Sequence, residues 1–162
     1  MPKIILNQAI VEDNWVKVDP EAELPVSGKV LLPYPLWLSG DFDAGAFEAV
    51  AVWIPNDTVF DEQAEKLTGL PVIAIDFPAF TDGRGYTLAR QLRERFNYNG
   101  ELRAIGDVLQ DQLFYMTRCG FNSFAVREDK SIEEALQGLK PFSGAYQAAL
   151  DKPQPLFAER WN

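Results

Sequence analysis

Histidine is absent from this chain of 162 residues, and cysteine occurs once, at Cys119. Without imidazole there is no Ser-His-Asp or Cys-His catalysis, no imidazole metal site and no histidine-ligated haem. One thiol excludes an internal disulfide, a cysteine zinc site and a four-thiolate iron–sulfur cluster within one chain. Acid–base chemistry near neutral pH would therefore fall to a carboxylate, Lys, Tyr or Cys with a displaced pKa. Long apolar runs are missing as well, and nothing approaches the roughly 18 residues of a membrane span. The N-terminal apolar stretch Ile4-Ile5-Leu6 is interrupted by Asn7 and Gln8, too early for a signal peptide. These features predict a cytoplasmic protein that uses no membrane.

Basic charge is also scarce overall. The net charge is −9, which argues against a nucleic-acid partner. What positive charge exists is concentrated. Residues 81–127 hold seven of the eight arginines against five carboxylates, a local +2 inside an acidic chain. An arginine-rich centre in an acidic body suits a small anion or an acidic partner patch.

Length and composition, with 47% apolar and 24% charged residues, fit one domain over residues 1–162. Residues 1–49 read as short strands and loops, with strands at Lys3–Leu6, Trp15–Val18 and Lys29–Leu32 and a helical turn at Pro35–Leu38. Residues 50–140 read as consecutive βα units and residues 141–162 as a C-terminal tail. The strands of the units are Val50–Ile54, Pro71–Phe77, Leu102–Ile105 and Ser123–Val126. Helices follow at about 61–67, 83–96 and 108–119. A last helix at 132–139 is opened by Ser131 with Glu134 three residues on, a capping-box spacing. Continuous apolar strands alternating with helices predict an α/β fold with a mostly parallel sheet. A partial TIM-like barrel is favoured over a flavodoxin-like doubly wound sheet, because the connections around 103–126 are minimal.

Ligands of parallel sheets bind at the carboxyl ends of the strands. The first polar residues after the strands are Asp57, Asp76, Asp107 and Arg127. Each aspartate can line a site or cap a helix, but Asp76 lies inside an apolar run where an idle charge is costly. The loop Thr81-Asp82-Gly83-Arg84-Gly85-Tyr86 joins a strand to a helix N-terminus. Its backbone N–H groups and Arg84 fit a carboxylate, phosphate, sulfate or sulfite. The alternative is a tight glycine turn with Arg84 paired to a neighbouring acid. The third glycine of a dinucleotide fingerprint and the GK[ST] of a P-loop are both missing, so no cofactor is expected. Asp107 and Asp111, four apart, would share a helix face beside Arg103, as an acid–base pair or as caps. Arg90 and Arg93 read as a solvated helix face or a partner surface. Cys119 reads as packing. The candidate ligand-binding set is thus Asp76, Asp82, Gly83, Arg84, Gly85, Arg103, Asp107, Asp111 and Arg127, with no metal site and no assigned catalytic residue.

The runs 80–93 (FTDGRGYTLARQLR) and 100–113 (GELRAIGDVLQDQL), with Arg118-Cys119-Gly120-Phe121, closely resemble domain-of-unknown-function family 934. This bacterial family is often labelled an oxidoreductase of sulfite reduction. The resemblance is specific across about residues 71–127. It implies a role in sulfate assimilation, because members are generally encoded beside sulfite reductase. Its pattern residues Asp82, Gly83, Arg84, Gly85, Arg103, Asp107 and Asp111 coincide with the candidate set. A sulfite-reducing centre needs sirohaem and an iron–sulfur cluster, which one cysteine cannot hold. The expectation is an accessory protein that supports sulfite reductase or its electron donor, using the aromatic C-terminus (Phe157, Trp161) to dock. An anion-binding enzyme or sensor is the alternative, and a homodimer that covers an open sheet edge is a further possibility.

Overall fold

The computed structural model describes residues 2–78 and 83–139. Phe157 and Trp161, and Asp82 of the glycine loop, lie outside the described residues. The chain opens with a hairpin of β1 (Lys3–Leu6) and β2 (Ala9–Glu12), with Leu6 opposite Ala9. The two-residue turn between them puts Asn7 at φ 51° and Gln8 at φ 67°. Two left-handed residues match the twist of the flanking strands, which favours this turn in tight hairpins. The strand β2 was not expected, because Gln8 stands where glycine usually signals such a turn.

The next elements are β3 (Trp15–Lys17), β4 (Lys29–Pro33), α1 (Tyr34–Ser39), β5 (Ala49–Ile54) and β6 (Val72–Phe77). They are followed by α2 (Arg84–Arg90), β7 (Glu101–Gly106), α3 (Gln110–Cys119), β8 (Ser123–Phe124) and α4 (Ile132–Leu139). Where a helix was expected near 61–67 the chain forms a 3-10 helix, Glu62–Gly69, whose first turn is capped by Asp61 accepting from the Gln63 N–H at 2.8 Å. Ser131 caps α4 by accepting from the Glu134 N–H at 3.2 Å. The reciprocal half of the expected box is not made by Glu134; the Ser131 hydroxyl meets the Glu133 carboxylate instead, at 3.3 Å.

The strands form one eight-stranded sheet in the order β2-β1-β8-β7-β6-β5-β4-β3. Pairings from β3 through β8 are parallel, and β1 joins β8 and β2 antiparallel. The sheet is curled into an open half-barrel. Its two faces are packed differently. The outer face (Val52, Ile54, Ile73, Ile75, Phe77, Ala104, Phe124) is buried against Leu88, Leu92, Leu113 and Met116 of the helices. The inner face forms a cluster of strand residues alone: Leu31, Ala51, Trp53, Val72, Ala74 and Ile105. Period-two alternation along each strand separates the two sets. Among the described residues no helix is long and apolar enough to cross a membrane.

Helix α2 continues into a π-helical turn, Gln91–Arg95, that ends at Asn97 in a left-handed conformation (φ 56°). The wider turn carries Arg93 inward, to 4% exposure, so it is not part of a solvated face or a partner surface. Its guanidinium donates to the carbonyls of Gly120 (2.9 Å), Tyr98 (2.8 Å) and Gly100 (2.9 Å), tying the end of α2 to the entry of β7 and the exit of α3. Burial lowers its pKa to about 10, still charged at neutral pH. Gly120 is dictated twice over: it has φ 121°, and a β-carbon there would lie 2.6 Å from Arg93 Cγ. Arg93→Leu removes the donor from three carbonyls, two of them buried. We expect a loss of about 2–4 kcal/mol in urea unfolding at neutral pH.

Candidate functional site

Parallel pairing brings the carboxyl ends of β6, β7 and β8 side by side. β7 finishes at Gly106 (φ 92°), a conformation open to glycine, and the following Asp107 N–H donates to the Phe77 carbonyl at 2.7 Å. That bond fastens the two strand ends together. Arg127, just past β8, donates to the Asp107 carboxylate at 2.8 Å and grips Asp129 with two bonds, at 3.0 and 2.9 Å. The hydrogen bonds that Arg127 donates to Asp129 and then to Asp107 raise its pKa, and Arg127 lowers that of Asp129. Asp107 therefore faces Arg127 and does not share a helix face with Asp111. Helix α3 starts only at Gln110, with Leu109 at its N-cap position, and Asp111 is exposed in its first turn.

Asp76 sits on the last turn of pleat of β6, on the inner face with Val72 and Ala74. It is half-buried. Desolvation raises its pKa; Lys17 opposes this, and Asp19 adds to it. A β-carbon on Gly106 would come within 2.6 Å of its Oδ1, so the glycine keeps the carboxylate's place clear. Gly106 and Arg127 also line one cavity of about 810 Å³ with Lys3, Asp13, Asp129 and Lys130. Asp76, Asp107 and Arg127 thus gather around the Gly106 corner.

The other candidates stand elsewhere. Gly83 is exposed at the start of α2 with φ −85°, so no left-handed backbone is needed there. Gly85 is buried, and what it approaches closely is Phe77: an added β-carbon would lie 2.6 Å from that ring. Arg84 lines a second cavity, of about 390 Å³, with Arg95, Asn56, Asp57, Thr87 and Gln91. Arg103, on the inner face, is 2% exposed and sits between Asp13 (2.9 Å) and Glu101 (2.7 Å), and Ser123 donates to the same Glu101 carboxylate. Cys119 is wholly buried and is touched by the Arg90 guanidinium, which also reaches Tyr115. Among the described residues no group of three or more Cys, Asp or Glu is arranged to hold a metal ion.

Sequence reasoning missed Asp13, Lys17, Asp19, Trp53 and Arg95. The alternation Trp15-Val16-Lys17 was a usable signal, since a strand there places Trp15 and Lys17 on one face. The Lys17 ammonium lies 4.3 Å from the centre of the Trp53 ring and 3.8 Å from Asp19. Trp53 is oriented by its Nε1–H donating to the Val18 carbonyl at 2.8 Å.

Compared with known proteins, residues 51–157 match the family model described as "Bacterial protein of unknown function (DUF934)". No curated protein and no solved structure matches the chain.

The raised pKa of Asp76 has a consequence for stability. A carboxyl whose pKa is higher folded than unfolded favours folding below its ordinary value of 3.8. That contribution is lost as pH rises through the folded pKa. Asp76→Asn removes the burden, so the variant should melt at a higher temperature than wild type at pH 7. The gap should close below about pH 3.8, which thermal melts across the acid range will read.

Proposed function

The chain belongs to the bacterial family of unknown function DUF934, and from that premise we propose that it is an accessory protein of assimilatory sulfite reduction. It supports sulfite reductase or its electron donor in the cytoplasm and does not itself carry the redox centre. The pathway comes from the resemblance carried by residues 80–121. The role within it rests on one observation: the sole thiol of a histidine-free chain is Cys119, the last residue of α3, fully buried in the main hydrophobic core. Such a chain has no thiolate set for a cluster and no accessible thiol for electron or sulfur transfer. We read the curled sheet as TIM-like rather than flavodoxin-like, because β3 to β8 are parallel and stand in chain order. Deleting the protein from a bacterium that encodes it should slow growth on sulfate or sulfite as sole sulfur source and leave growth on cysteine unchanged. Equal growth on all three sources would overturn the assignment.

A second reading is favoured by the cavity that Arg84 and Arg95 line together. Two guanidiniums, one carboxylate, two amides and two threonine hydroxyls suit a small oxyanion such as sulfite, sulfate or phosphate. Calorimetry with these three anions should show binding that Arg84→Ala weakens at least about tenfold. Identical heats from wild type and variant would remove this reading.

A further inference from the structure

The cavity of about 390 Å³ that Arg84 and Arg95 share is a groove between two walls. One wall is a single stripe along α2 and its π-helical continuation: Arg84, Thr87, Leu88, Gln91 and Arg95. Spacings of three and four residues keep these positions on one face of a helix. The other wall is the segment that follows β5, residues 56–60, which includes Asn56, Thr58 and the buried Phe60.

The two arginines stand at opposite ends of that stripe. They are eleven residues apart in the chain. At a rise of 1.5 Å per residue, their α-carbons are separated by roughly 16 Å. Long side chains on a helix lean toward its N-terminus, so Arg84 leans away from Arg95. Arg95 is held at its own end. Its guanidinium lies 4.9 Å from the centre of the Phe96 ring, which meets Phe60 edge-on at 5.9 Å. One oxyanion, with hydrogen bonds of about 2.9 Å on either side, cannot span such a separation. Between the ends lie amides and hydroxyls (Asn56, Gln91, Thr58, Thr87) beside the apolar Leu88 and Phe60. The volume, about 390 Å³, also exceeds what a single oxyanion fills and matches the size of organic-ligand sites.

We propose that this groove binds an elongated organic anion with a phosphate-like group at each end and hydroxyls between. One anionic group pairs with Arg84 and the other with Arg95, while the amides and threonine hydroxyls meet the middle. Asp57, the one carboxylate of the lining, accepts from a hydroxyl and repels anionic charge, which disfavours a further anionic group. The proposal rests on the oxyanion reading of this same cavity and names the class of ligand.

Calorimetry on the full chain at neutral pH, comparing inorganic phosphate, fructose 6-phosphate and fructose 1,6-bisphosphate, tests it. The bisphosphate should bind at least about tenfold more tightly than either of the others. Arg84→Ala and Arg95→Ala should each reduce it to the affinity of the monophosphate. Arg118→Ala, at an exposed position on α3, should leave it unchanged. Circular dichroism separates lost binding from lost structure, and Arg84→Gln or Arg95→Gln replaces an alanine variant that does not fold. Heat from phosphate that depends on Arg84, with no gain for the bisphosphate, would overturn the two-ended ligand and leave the oxyanion reading standing. An equal loss in Arg118→Ala would overturn it too, since attraction by any surface arginine would then suffice. No heat from any of the three probes overturns the proposal, and removes the oxyanion reading only when sulfite and sulfate are silent as well.

Discussion

Right-handed crossovers between strands that are always spatial neighbours put each covering helix on the same side of the sheet. From β3 to β8 this chain never reverses its strand order, so the constraint acts at every βα step. The outer face receives the helices, and among the described residues the inner face receives none. Leu31, Ala51, Val72, Ala74 and Ile105 are nevertheless buried, which an open flat sheet could not achieve. Curling the sheet solves this. Small residues at the centre (Ala51, Ala74) let neighbouring strands close in, and the Trp53 ring spreads over the remaining gap.

The arginine-rich middle of the sequence is not one surface. Linear clustering between 84 and 127 is dispersed by the fold into a backbone clamp (Arg93), a buried ion-pair centre (Arg103), a strand-end fork (Arg127) and a cavity wall (Arg84, Arg95). The clamp is the least expected of these. At 3.6 residues per turn, Arg90 and Arg93 both point away from the Leu88–Leu92 stripe. The π turn at Gln91–Arg95 holds more residues per turn and rotates Arg93 towards Tyr98 and Gly120. No local propensity distinguishes such a turn from ordinary helix. It is stabilised by the carbonyls that Arg93 reaches after the whole βαβ unit has closed.

Strand identity was legible where apolar runs are continuous, as in 50–54, 71–77 and 102–105, because a doubly buried strand has no other composition. Legibility failed at the edges. β2 is short, half exposed and entered by a turn whose second residue is Gln8, so neither hydrophobic pattern nor turn chemistry announced it. The reading of Asp107 as a helix residue failed for a related reason. Gly106 reverses the chain, and the next three residues bridge to α3 instead of opening it. Arg127 was placed correctly at a strand end, yet its partnership with Asp107 depends on the adjacency of β7 and β8, which spacing alone does not state. Asp13 and Lys17 belong to the chain's first strands, remote in sequence from every residue they serve.

Arg103 and Asp76 make the useful contrast, because both are charges on the same inner face of adjacent strands. Arg103 is flanked by Asp13 and Glu101, and Ser123 completes the Glu101 carboxylate. A charge buried that deeply persists only with such partners, since losing one would strand the other. Asp76 lies two residues beyond Ala74, the register partner of Arg103, and receives no equivalent set among the described residues. Its pKa is pushed up by burial, the opposite of what a structural ion pair does to a carboxylate. The sheet pairs the charge that it buries completely and leaves the half-buried one partly to solvent. That difference separates a charge the fold must compensate from one that water can still reach.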